Sequence, residues 1–220
     1  MKLTFDCYGT LLNMQPIDEV IARLARDQQL DSQIAVATYN SYEDRLMYQA
    51  KLTPYDKLIA ENLSYLDLEL TADHWFVNHL DDVLTAYQQL QPHPDVLPAF
   101  MQLKAQGHQL YLMSNSAPEF MRNHLAALDD LPDGVLLPNE TGCYKPDLPF
   151  FEMATKKWQL TNENHIHIAK GYWWDIVPAT QLNWRKIWIN RDHKNGRQRE
   201  QPYSEFTDLT PVVELLAKQQ

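Results

Sequence analysis

The sequence predicts an α/β fold in which a parallel sheet core is interrupted, after its first strand, by an all-helical cap. Three observations carry this. The chain opens on an apolar strand, "LTFD" at residues 3–6, that runs straight into a Gly-Thr turn. Residues 13–91 then show helical periodicity almost throughout, and "QPHPD" at 91–95 ends that run with two prolines. Beyond it, short apolar strands alternate with amphipathic helices, the pattern of βαβ units joined by right-handed crossovers. The expected division is a core of residues 1–12 and 92–220 and a helical cap of residues 13–91.

The elements follow in order. In "IDEVIARLARDQQL", Ile17, Val20, Ile21 and Leu24 recur at i, i+3, i+4 and i+7, one face of a helix. "QIAVATYNSYEDRLMYQAK", "TPYDKLIAENLSYL" and "TADHWFVNHLDDVLTAYQQL" read as three more helices, with Thr53 as a cap and Pro54 in the first turn of the second of these. In the core, "DVLPAFMQLKAQG" is a helix closed by Gly107, and "HQLYLMS" a buried strand. "APEFMRNHLAAL" is a helix whose start carries a capping box, Ser116 with Glu119. "GVLLP", "HIHIA" and "RKIWIN" are strands; "PFFEMATKKWQL", "DIVPATQLN" and "TPVVELLAKQ" are helices. The polar "RDHKNGRQRE" reads as a solvated loop.

The bulk properties exclude several classes of function. A net charge of −10 argues against a nucleic-acid groove, which needs clustered Lys and Arg to displace counterions. No stretch approaches the ~20 apolar residues of a membrane span. Two cysteines, Cys7 and Cys143, without a secretory signal ahead of the first strand, point to a reduced, cytoplasmic setting. Trp75 and Phe76, read as exposed cap aromatics, leave room for a homodimer.

Ligands of open α/β sheets sit beyond the carboxyl ends of the strands, so the polar residues there are the candidates. Asp6 ends the first strand, Ser114 the second; Lys145 follows "GVLLP" and Asp175 follows "HIHIA". A carboxylate in such a crevice can act as a nucleophile that forms an ester for water to hydrolyse. A hydroxyl and an ammonium beside it can bind an anion and orient the attack. Thr10 and the amides around Gly9 can donate to the same anion. His165 and His167 alternate along one strand, but without two further ligands they do not make a metal site. Cys7, next to Asp6 on the strand, reads as a small buried side chain.

"FDCYGTL", "LYLMSNS", "YKPD" and "WWDIVPA", taken in that order, resemble the haloacid dehalogenase-like hydrolase superfamily over essentially the whole chain. The resemblance implies a Rossmann-like parallel sheet core with a small helical cap, and roles at matching positions. Asp6 would be the nucleophile, and Ser114, helped by Asn115, would hydrogen-bond the substrate. Lys145 would neutralise their charge, and Asp175 would stand at the second acidic position of the last motif. Magnesium-dependent phosphatases of that superfamily carry an acid two residues after the nucleophile. This chain has Tyr8 there, and a phenol with a pKa near ~10 replaces a tuned carboxylic acid poorly. Tyr8 is instead similar to the 2-haloacid dehalogenase branch, in which halide leaves without a proton.

Lys170 takes the place of an acid that ligates magnesium in the phosphatases. The expectation is therefore two carboxylates, Asp6 and Asp175, facing two ammonium groups, Lys145 and Lys170, with no essential magnesium. Tyr172, Trp173 and Trp174 are candidates to line the pocket, with Lys170 and Tyr172 standing where the dehalogenases carry Ser and Asn. The halide-binding cap arginine of those enzymes has no match in register; Arg45 is the arginine nearby. The expected activity is hydrolysis of a small anionic organic substrate through an ester on Asp6, without a cofactor. One alternative is a magnesium-dependent small-molecule phosphatase with Asp6 and Asp175 as ligands. Another is a non-catalytic binding protein that retains the fold.

Overall fold

The structure, a computed structural model, describes residues 1–48 and 52–218. Residues 49–51 of the second predicted helix, and residue 219 at the end of the last, lie outside the described residues. The elements run β1 (Lys2–Asp6), α1 (Gln15–Asp27), α2 (Ser32–Leu46), α3 (Tyr55–Leu70), α4 (Trp75–Asn78), α5 (Leu80–Gln88), α6 (Val96–Ala105) and β2 (Gln109–Met113). There follow α7 (Pro118–Ala127), β3 (Gly134–Leu136), α8 (Pro138–Thr141), α9 (Leu148–Trp158) and β4 (His165–Ala169). A π-helical turn over Tyr172–Ile176 leads into α10 (Val177–Gln181), β5 (Lys186–Ile189), β6 (Ser204–Phe206) and α11 (Thr210–Ala217). No helix among the described residues is long and apolar enough to cross a membrane.

The chain divides into two compact units. The first comprises Met1–Asn13, Gln91–Asn115 and Leu125–Gln220. It holds a six-stranded sheet in the order β3-β2-β1-β4-β5-β6, parallel throughout. β1 is central and pairs in register with β2 (Asp6 opposite Met113) and with β4 (Phe5 opposite Ile168). One face packs on Tyr111, Met113, Leu136, Phe150, Phe151, Trp158 and Trp184, each buried large side chain contributing roughly 1.5–3 kcal/mol of transfer free energy. β6 was not anticipated: "SEF" is too short to show a period, and parallel pairing with β5 defines it.

The "RDHKNGRQRE" stretch is also more than a solvated loop. Arg191 forms a two-pronged pair with Asp95 (2.8 and 3.1 Å), and buried Glu200 collects Arg197 and Arg199.

The second unit comprises Met14–Leu90 with Ser116–His124. α1 buries Ile17, Ile21 and Leu24, as its periodicity predicts. Asp31 caps α2 by accepting the Gln33 and Ile34 amides. Pro54, expected inside the first turn of α3, is instead its cap residue with extended backbone, so Thr53 lies one position too early to cap. The single helix expected over residues 71–90 is broken where Asp73 and His74 take left-handed backbone. The Asp67 carboxylate then accepts the Phe76 and Val77 amides that open α4. Phe76 is fully buried and the half-buried Trp75 donates Nε1–H to the Leu24 carbonyl, which removes the exposed aromatics on which the homodimer expectation rested.

Candidate active site

With β1 between β2 and β4, the chain leaves the sheet to opposite sides at the end of β1, the place where open α/β sheets bind ligands. Asp6 is the last residue of that strand, and the turn after it is tightly built. Leu11 and Leu12 donate their amides to the Cys7 carbonyl, and Gly9 donates to Leu12. Gly9 takes φ +74°, where a side chain would be strained. This folds Thr10 back over the strand end, and its hydroxyl donates to Asp6 Oδ2 at 2.5 Å while accepting the Lys170 amide at 2.7 Å. Arg191 braces the turn by donating to the Thr10 carbonyl at 2.9 and 3.3 Å.

Lys145 arrives from the loop between α8 and α9. Asn115 fixes its backbone from both sides: Asn115 Oδ1 accepts the Lys145 amide (2.8 Å), and Asn115 Nδ2 donates to the Lys145 carbonyl (3.0 Å). The buried ammonium then donates to Asp6 Oδ1 and to Asp175 Oδ1, each at 2.7 Å.

Asp175 is delivered by the π-helical turn, in which the Asp175 and Ile176 amides both donate to the Gly171 carbonyl. A Cβ at position 171 would collide with Asp175 Oδ2, so this carboxylate requires a glycine beneath it. Oδ1 also accepts from His167 Nε2 at 3.1 Å. Oδ2 is buried and has no donor.

The two carboxylates are electrostatically unequal. Burial is the largest influence on Asp6 and, with the nearby Asp175 charge, holds its pKa above the ordinary value despite Lys145 and Thr10. Asp175 is also penalised by burial, but Lys145 and His167 outweigh the penalty and hold it below. Burial alone would lower the pKa of Lys145; the two carboxylates raise it, so it stays a cation between them. Asp6 keeps 11% of its side chain accessible against 0% for Asp175, so Asp6 is the less enclosed of the two carboxylates.

The other predicted residues divide. Thr10 donates its hydroxyl to Asp6 and accepts the Lys170 amide with it. Asn115 reaches Lys145 rather than open space. Ser114, directly beyond β2, is buried and hydrogen-bonded to Cys7. Tyr8 is half-buried in the turn.

Lys170 departs from expectation: its ammonium pairs with Asp192 at 3.1 Å, not with Asp6 or Asp175, because its stem lies along Gly9 and away from the carboxylates. The two-against-two charge arrangement is therefore corrected to one ammonium between two carboxylates. Tyr172 is also turned aside. Its ring packs edge-on against Trp188 and Tyr203, and its hydroxyl accepts the Arg197 amide. Arg45, in the second unit, is exposed and lies over the Tyr42 ring. His167, which the motifs do not include, is a direct hydrogen-bond neighbour of Asp175.

A magnesium ion bridging Asp6 and Asp175 does not fit these residues. Lys145 Nζ holds the two oxygens that face each other, Thr10 holds the second oxygen of Asp6, and that of Asp175 is packed on Gly171. Among the described residues, no group of three or more His, Cys, Asp or Glu side chains is placed to hold a metal.

Residues 3–182 match the family described as haloacid dehalogenase-like hydrolase. The chain is 26% identical to (S)-2-haloacid dehalogenase 4A of Burkholderia cepacia, across 97% of this chain and 90% of that one. It is 24% identical to a glyceraldehyde 3-phosphate phosphatase of Methanocaldococcus jannaschii, across 94% and 91%. Its fold superposes on an L-2-haloacid dehalogenase of Xanthobacter autotrophicus solved with chloropropionic acid covalently bound. The TM-score is 0.81 at 14% identity, covering 100% of this chain and 99% of that one.

Proposed function

The chain belongs to the haloacid dehalogenase-like hydrolases, and from that premise we propose that it hydrolyses small 2-haloalkanoic acids through an ester on Asp6. An Asp6 oxygen attacks C2 of the substrate, and the halide leaves with the electrons of its bond. Water then adds to the Asp6 carboxyl carbon and gives a proton to Asp175. As the bond between the Asp6 carboxyl carbon and the alkyl oxygen breaks, the leaving alkoxide takes the proton back from Asp175 and departs as the 2-hydroxy acid with the oxygen that attacked. Asp6 is restored with an oxygen from water, the second water proton passing to solvent. Lys145 balances charge in both steps. Ser114, one residue beyond the Met113 that faces Asp6, is assigned to the substrate carboxylate, and Tyr8 to the wall of the pocket.

The observation that carries this reading is Lys145 Nζ at 2.7 Å from both carboxylates, with only Asp6 open to solvent. The arrangement leaves one carboxylate for attack and the other for the water. Tyr8 in place of an acid supports a leaving group that needs no proton, as halide does. The donor set speaks against the phosphatase reading.

The test is turnover of 2-chloropropionate and of p-nitrophenyl phosphate, each with magnesium and with EDTA. Halide release that is unchanged by EDTA, with negligible phosphate release, is the expected outcome. EDTA-sensitive phosphate release without halide release overturns the proposal in favour of the phosphatase.

A further inference from the structure

The Asp175 carboxylate ends a chain of buried hydrogen bonds that begins inside the sheet. Thr4 on β1 stands directly opposite His167 on β4 in the parallel register. His165 and His167, two positions apart, share one face of that strand. The Thr4 hydroxyl lies 2.7 Å from His165 Nε2 and 2.8 Å from His167 Nδ1. His167 Nε2 reaches Asp175 Oδ1, and all four side chains are 1% exposed or less. Aromatic walls hold the rings: Trp184 packs edge-on against both imidazoles, and Phe151 against His167.

The hydrogen-bond directions are fixed at the site end. A carboxylate only accepts, so Nε2 of His167 carries a proton toward Asp175. With a single ring proton, Nδ1 then accepts from the Thr4 hydroxyl, whose oxygen in turn accepts from His165 Nε2–H. Burial, followed by His167, Arg185 and Lys2, drives the His165 pKa down to about 3, which keeps that ring neutral and this arrangement self-consistent.

We infer that His167, seated by Thr4 and His165, is a positioning residue for the second chemical step. With Lys145 it holds Asp175 Oδ1 while Oδ2 is packed on Gly171, so the carboxylate is fixed in the one orientation from which it takes the proton of the water that cleaves the ester. The inference rests on the ester mechanism proposed above. The residue acts through Asp175 and touches no reacting atom. Its loss therefore affects ester hydrolysis more than ester formation, which depends on Asp6 and Lys145.

The experiment compares His167→Leu, His167→Gln and Thr4→Val with the parent enzyme on 2-chloropropionate. Rapid-mix halide release reads the first step, and intact-protein mass reads the ester. In His167→Leu, a burst of about one halide per enzyme survives within about 3-fold of the parent rate. Steady-state kcat falls about 30-fold or more, KM falls with it, and the ester accumulates. His167→Gln, which retains an N–H donor, recovers to within about 5-fold of the parent, and Thr4→Val falls between the two.

A parallel fall of both steps, a fall in kcat with no ester build-up, or an unaffected leucine variant overturns the inference. Should His167→Leu not fold, the Gln and Val variants decide by the same readouts. A parent enzyme that releases no halide and forms no ester refutes the ester mechanism itself, which separates that failure from a failure of this inference.

Discussion

Lys145 and Lys170 each stand in a loop beyond the carboxyl end of a strand, flanked by motif residues, yet they do opposite work. Lys145 is buried, anchored through its backbone by Asn115, and bridges two carboxylates. Lys170 is a third exposed and pairs with Asp192, itself shared with Lys194. Two carboxylates packed together out of water need a cation whose own desolvation is repaid by good geometry, and Lys145 supplies it. Screened by solvent, the Lys170 pair contributes about 0–1 kcal/mol. Depth and pairing, rather than nearness to a motif, separate the site from its surroundings.

The sharpest way to break this contrast is Lys145→Met. With the cation gone, two buried carboxylates face each other. Activity should fall by at least about 10³-fold and stability by about 3–5 kcal/mol in denaturant unfolding at pH 8. The stability loss should be smaller at pH 5, where one carboxyl takes up a proton and relieves the repulsion.

Next comes Gly171→Ala. Position 171 has negative φ, so the backbone tolerates alanine, but the new methyl displaces Asp175. The expected loss is about 100-fold in steady-state turnover, with ester detected by mass.

Thr10→Val should cost about 10-fold, and its signature is in the pH profile. Asp6 must be ionised to attack, and its pKa is already raised above the usual 3.8, so kcat/KM declines on the acid side above that value. The Thr10 hydrogen bond lowers this pKa, so its removal shifts the acid limb to still higher pH. Smallest of all, Lys170→Gln should leave kcat/KM within about 3-fold of the parent, as expected of an exposed pair. A loss comparable to that of Lys145→Met would erase the distinction between the two lysines.

Strand-end logic was enough to read the convergence of Asp6, Lys145 and Asp175 from the sequence. In a parallel sheet, polar residues at successive carboxyl ends have few other places to go. The neighbours of Asp175 were harder. Tyr172 lies three residues away, but a π-helical turn rotates it toward Trp188 and Tyr203, and no residue pattern announces such a turn. His167 escaped because an alternating buried histidine looks the same whether it fills the core or supports a carboxylate. The hydrogen bond of its Nε2 to Asp175, made across eight residues, tells the two apart. In the helical unit, the break at Asp73 and His74 depends on Asp67 capping α4 from six or more residues upstream, a tertiary arrangement that local periodicity does not encode.

The central claim, that Asp6 forms an ester which water cleaves at the carboxyl carbon, is tested most directly by isotope. Enzyme in excess over 2-chloropropionate turns over once in ¹⁸O-water, and product and protein are then weighed. The account predicts unlabelled 2-hydroxypropionate and one ¹⁸O in the peptide carrying Asp6, and no label there in Asp6→Asn. Label in the product of that first turnover, with Asp6 unlabelled, would mean that water attacks the substrate directly and would contradict the account.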